Sequence, residues 1–197
     1  MDPDETLVRA ALAAPDGDTK AFAELVRRHQ SAVLVNCRHL TRSRDDAEDL
    51  AQEVFVKLFF KLGTFEGRAK FSTWLQRIKV NHCLNFLQSK RGKTYVELSE
   101  PELAAVPELR VEDGALDGLD ADRRRALIRE VLDSLPDSLR VPLVMCDVDE
   151  LSYEDIRREL GIGLSAVKMR IARARAEFRA RWARATAGAT AGAREAT

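Results

Sequence analysis

This chain of 197 residues is short of cysteine, proline and glycine, with three, six and ten respectively. Each shortage removes a class of structure. So few glycines and prolines exclude a collagen-like repeat and argue against an all-β fold, whose many turns draw on both. Cys37, Cys83 and Cys146 are isolated, odd in number and nowhere spaced as CxxC. That excludes a disulfide framework and a zinc knuckle, and the three read as small buried apolar residues in a reducing cytoplasm. His29, Cys37 and His39 lie close in sequence but lack the further ligands a metal needs, so no metal or other cofactor is expected. A surplus charge of either sign is also absent. Basic and acidic residues number 32 each, so net charge predicts no polyanion partner. No apolar run is long enough to span a bilayer, and the polar, acidic start MDPDETLVRA is not a secretory signal. A cytoplasmic protein without membrane insertion is expected.

What is present is helix. A hydrophobic share of 45% and a charged share of 32% describe a globular chain rich in helix formers. Leu7, Val8, Ala11 and Leu12 open the helical spacing, followed by a turn cluster at 15–18. From Thr19 a longer helix puts Phe22, Leu25, Val26, Val33 and Cys37 on one side. Over 43–62, Ser43 with Asp46 three residues on forms a capping-box signature, and Ala47, Leu50, Ala51, Val54, Leu58 and Leu62 make one apolar stripe. A further helix begins at about Ser72, with Trp74, Leu75, Ile78, Cys83, Leu84 and Leu87 as core. Residues 94–122 break the pattern: they are acidic, hold Pro101 and Pro107, and read as a flexible linker. Helical spacing returns at Arg123, and 185–197 reads as a disordered, low-complexity tail. The expected fold is all-α, with one helical bundle over 1–93 and another over 123–184.

The stretch 151–182 carries the clearest motif. Ser152 caps a short helix with Asp155 at the capping-box position, Ile156 and Leu160 supply its apolar side, and Gly161 ends it. A second helix follows with Val167, Ile171, Ala174 and Phe178 as its stripe. Its other faces carry Lys168, Arg170, Arg173, Arg175, Arg179, Arg181 and Arg184 against the single acid Glu177. A short helix, a glycine turn and a basic helix match the helix-turn-helix plan, whose second helix enters the major groove. The competing reading is a solvated basic helix closing a bundle.

Two other segments carry more than a core needs. On the helix at 43–62, the side away from the stripe mixes Asp49, Gln52 and Glu53 with Val56 and Phe60. That face is either a docking surface for a partner helix or a wider core that takes in Phe60. In 63–93, Arg68, Lys70, Arg77, Lys79, Lys90, Arg91 and Lys93 surround aromatics and the pair Asn81 and Asn85. That composition suits a single-stranded groove, although Trp74 within an amphipathic helix reads more readily as core than as a stacking platform.

Together these segments resemble the extracytoplasmic-function group of bacterial sigma factors, within the sigma-70 family. The resemblance rests on DDAEDLAQEVFVKLF at 45–59, FSTWLQRIKVN at 71–81 and LSYEDIRRELGIGLSAVKMRIARAR at 151–175, in that order. It implies a non-enzymatic subunit that binds core RNA polymerase and recognises promoter DNA at its minus-10 and minus-35 elements. By that resemblance Asp49, Gln52, Glu53, Val56 and Phe60 dock on the polymerase clamp. Arg77, Lys79, Asn81 and Lys90 serve minus-10 opening, with Asn81 matching the family asparagine near a flipped base. Ser165, Lys168, Met169, Ala172 and Arg173 lie at the minus-35 bases, with Arg170 and Arg175 on phosphates or in salt bridges. Many relatives are held inactive by an anti-sigma factor, a further implied partner.

The chain departs from that family at Ala166 and Met169, where threonine and serine are common, so apolar contact with thymine methyls replaces base-reading hydrogen bonds. Asn85 replaces a common aspartate. The alternative function is a helix-turn-helix regulator that is not a polymerase subunit, but it would not need the 45–60 face or the segment from Trp74 to Asn81. A nucleic-acid enzyme would need a positioned nucleophile or metal-binding carboxylates. The acids at 45–53 instead serve one helix's N-terminus and outer face.

Overall fold

A computed structural model of the chain describes residues 2–15, 17–90 and 121–187 in full, and the backbone alone of 91 and 188–195. Every extended element among them is helical, and none of these helices is long and apolar enough to cross a membrane. The chain divides into two compact units. One is Met1–Tyr95 with Asp147–Leu151, the other Val96–Cys146 with Ser152–Thr197.

The first unit holds α1 (Pro3–Ala13), α2 (Lys20–Thr41), α3 (Arg44–Lys61) and α4 (Phe71–Arg91), with a 3-10 turn at Leu62–Thr64. Local hydrogen bonding sets the ends. Asp2 caps α1, and Ser43 Oγ accepts the Asp46 N–H at 3.2 Å to start α3. Helix α2 ends at Arg42, which adopts φ 63° and returns its N–H to the Arg38 carbonyl. All six residues of the expected α3 stripe are buried, as are Leu25, Val33 and Leu40 of α2 and Leu75, Leu84 and Leu87 of α4, the two helices that pack on α3. Each such aliphatic side chain contributes about 1.5–3 kcal/mol on burial. Phe71, at the first residue of α4, is also buried and packs against Phe65 and Trp74.

The second unit holds α5 (Ala121–Ser134), α6 (Asp137–Asp147), α7 (Tyr153–Leu160) and α8 (Leu164–Glu195). Helix α5 thus opens two residues before Arg123, and the rest of the expected linker, 94–120, lies outside the described residues. Helix α8 runs on through Glu195, into the segment expected to be a disordered tail. Alanine-rich sequence favours helix, and Thr186 is buried there with its hydroxyl donating to the Trp182 carbonyl at 3.0 Å. Arg140 is fully buried in α6, donating to Asp137 Oδ1 at 2.7 Å.

Candidate docking and nucleic-acid interface

Helix α3 presents the first surface. Asp49, Gln52, Glu53, Val56 and Phe60 follow spacings of three and four, so they share one face, and all five are exposed. Val56 is 57% and Phe60 79% exposed. The alternative of a wider core that takes in Phe60 is therefore overturned, because among the described residues no helix packs over that side chain. Phe59, which the sequence reading passed over, belongs beside it. It is half exposed, meets Phe60 at 5.7 Å between ring centroids and packs edge-on against Phe22 at 5.1 Å. An aromatic anchored on one edge and bare on the other is pre-organised for contact. Glu53 is held toward α4 by His82, whose Nε2 lies 2.5 Å from its Oε2.

Helix α4 carries the second surface. Trp74, Arg77, Asn81 and Asn85 recur at three and four residues and share a face. Both asparagines are exposed, while Trp74 and Arg77 are half-buried. Trp74 leans on Phe65, with centroids 5.2 Å apart, so it is part core and part surface. Lys90 is exposed and donates to both carboxylate oxygens of Asp46 at 2.8 Å while lying over the Phe86 ring. The lysine's hydrogen bond holds the Asp46 carboxyl below its ordinary range.

Lys79 requires a correction. It was expected beside a DNA phosphate, yet it is fully buried. Its ammonium is ion-paired with Asp149, which also accepts from Asn36 Nδ2 at 2.7 Å. Burial pushes the Asp149 carboxyl up, against the opposing pull of Lys79 and Asn36. The geometry of a helix explains the error. Two residues turn the chain about 200°, so Lys79 cannot share a face with Arg77 or Asn81. That spacing was available in the sequence; the buried carboxylate 70 residues away was not. The same cluster accounts for Asp147–Leu151 joining the first unit rather than the expected 123–184 bundle.

The third surface lies in the second unit. Ser152 Oγ accepts the Asp155 N–H at 3.1 Å and donates to its Oδ2 at 2.7 Å, which starts α7. Gly161 adopts φ 66° and returns its N–H to the Arg157 carbonyl, ending α7 where a side chain would be strained. Helix α8 then buries Val167, Ile171 and Ala174. The opposite row exposes Ser165, Lys168, Ala172 and Arg173, with Met169 and Ala166 half-exposed. Arg170 is half-buried and off that row. Arg175 shares the side of Ile171, Phe178 and Trp182, and its guanidinium lies 3.6 Å from Cys146 Sγ. The basic helix thus divides into an exposed row and inward arginines, a division that charge counting along the sequence did not make.

The chain is similar to known proteins across both units. The family model described as Sigma-70 region 2 matches residues 25–93, and that described as Sigma-70, region 4 matches 125–178. The chain is 35% identical to the ECF RNA polymerase sigma factor SigE of Mycolicibacterium smegmatis, over 91% of this chain and 69% of that one. Its fold is similar to that of CnrH, solved in complex with the cytosolic domain of CnrY, with TM-score 0.56, 25% identity and coverage of 91% and 96%. It also shares the fold of the sigma factor RpoE of Bartonella quintana, solved with the anti-sigma factor NepR, with TM-score 0.55, 24% identity and coverage of 82% and 96%.

Proposed function

The chain belongs to the extracytoplasmic-function group of the sigma-70 family and is a promoter-specific RNA polymerase sigma factor, and from that premise we propose which of its surfaces performs each step. The exposed α3 face, with Val56, Phe59 and Phe60 flanked by Asp49, Gln52 and Glu53, docks on core polymerase. The apolar area supplies affinity and the acids select a basic partner. Asn81 captures an unstacked base of the minus-10 element, at a cost of a few kcal/mol for unstacking that pocket contacts offset. Arg77 and, once released from Asp46, Lys90 approach the backbone there. Ser165, Lys168, Met169, Ala172 and Arg173 read the minus-35 element, Arg170 reaches phosphate, and Arg175 holds α8 in place. Polymerase binding raises the effective concentration of the reading helix at the promoter, so tight binding to DNA alone is not required. The protein acts in the cytoplasm, performs no chemistry of its own, and has an anti-sigma factor as its third partner class.

The observation that carries this reading is the 79% exposure of Phe60 beside the exposed acids of α3. A helix-turn-helix regulator would have no use for that face. Run-off transcription with purified core polymerase and candidate promoters tests it. Glu53→Arg is expected to weaken core binding at least tenfold while leaving the full chain's affinity for naked promoter DNA unchanged. Equal core binding by Glu53→Arg and the parent would sink the assignment of α3.

A further inference from the structure

Two of the three cysteines, although 46 residues apart in sequence, meet inside the first unit. Cys37 of α2 and Cys83 of α4 are both fully buried, and Cys83 Sγ donates to Cys37 Sγ at 3.6 Å. A disulfide needs the sulfurs at about 2.05 Å, so closing the gap takes an approach of about 1.5 Å between two neighbouring helices. The pair adjoins the buried polar cluster: Cys37 follows Asn36, and Cys83 lies one turn after Lys79. The hydrogen bond from Cys83 chiefly, helped by the Lys79 ammonium, pulls the Cys37 thiol below its ordinary range. Donating that bond, together with burial, pushes the Cys83 thiol up. One sulfur is therefore disposed to attack and the other to resolve. Cys146 differs: it is half-exposed and sits beside Arg175.

We propose that Cys37 and Cys83 form a reversible dithiol–disulfide site, closed by small hydroperoxides, that cross-links α2 to α4. The Cys37 thiolate attacks one peroxide oxygen, the O–O bond breaks, and the departing oxygen leaves after protonation as water from hydrogen peroxide or as the alcohol from an alkyl hydroperoxide, giving Cys37 sulfenic acid. Cys83 then loses its proton and attacks that sulfur, forming the S–S bond and displacing hydroxide, which the proton converts to water. Two thiols are oxidised and one hydroperoxide is reduced. Access to the buried pair comes through local opening, so the site reacts more slowly than an exposed thiol. Once bridged, the middle of α4, two residues from Asn81, is tied to α2. The inference does not depend on the DNA-binding role of α4.

The test uses the full chain carrying Cys146→Ser, which leaves only this pair. Treatment of the folded protein with hydrogen peroxide is expected to lower the intact mass by 2 Da. The peptides holding Cys37 and Cys83 should become linked, and dithiothreitol should restore the original mass. Because the bridge closes a long loop, the oxidised form is expected to melt several degrees higher. Gains of 16 or 32 Da without cross-linking would overturn the proposal. So would free thiols that react only in urea, or a bridged form that melts lower. Cys83→Ala adds a second reading: Cys37 loses its resolving partner and should accumulate as a sulfenic acid that dimedone traps. Should that variant not fold, the peptide map of Cys146→Ser decides alone.

Discussion

Replacing Asp149 by alanine exposes what the buried ion pair contributes. Lys79 and Asp149 both have side chains with no solvent exposure, and Asn36 donates to the same carboxylate. Asp149→Ala strands an ammonium in a low-dielectric interior and removes the acceptor of the Asn36 amide. Breaking one side of such a pair costs about 3–5 kcal/mol, against total domain stabilities of about 5–15 kcal/mol. At least about a fifth of the first unit's stability is therefore expected to go. The double variant Lys79→Met, Asp149→Leu removes both charges while keeping the volume filled. It is expected within about 1 kcal/mol of the parent, or more stable, because desolvation of two ions no longer opposes folding. Tryptophan fluorescence during urea unfolding measures this. Trp74 lies in the first unit and Trp182 in the second, so a Trp182→Phe background reports the first unit alone. The double-mutant cycle then isolates the pair. A cost below about 1 kcal/mol for Asp149→Ala, or a double variant as unstable as the two single losses added together, would refute the reasoning, since Lys79 would then have to reach water.

Further outcomes follow from the other surfaces. Arg173→Ala is expected to lower discrimination between promoter and mutated minus-35 sequences by about 1–3 kcal/mol in competition binding; an equal loss on every DNA would demote it to a phosphate contact. Arg175→Ala should instead lower the melting temperature of the second unit and leave sequence preference intact, because its guanidinium faces Cys146 rather than the exposed row proposed to read DNA. Hydrogen bonds from Arg27 and Arg28 lower the Glu24 carboxyl from 4.5 to about 2. A depressed carboxylate pKa contributes stability above the unfolded value and loses it as pH falls through the folded one. The Glu24 contribution is thus complete above about pH 4.5 and fades toward pH 2. Carbon-13 NMR titration should find that depressed value, and Arg27→Gln should raise it.

The helices were legible in the sequence because what starts, stops and orients them is local. Ser43 and Ser152 bond N–H groups three residues on, Gly161 takes the left-handed conformation its position requires, and the α3 stripe from Ala47 to Leu62 is buried as its spacing predicts. The three surfaces could be located for the same reason, since residues at intervals of three and four share a helix face. The tertiary structure alone decided which of those faces stay uncovered. Phe60 is bare and Val54 buried only because of where α2 and α4 lie. Lys79 goes inside because a carboxylate 70 residues away meets it there, and no property of its neighbours in sequence encodes that partner. Arg175 turns toward Cys146, and Cys37 finds Cys83, on the same terms. Periodicity and capping act over one or two helical turns, so the sequence by itself determined the helices and their faces. The pairing of a buried charge or thiol requires chain segments tens of residues apart to meet, and only the packed fold brings them together.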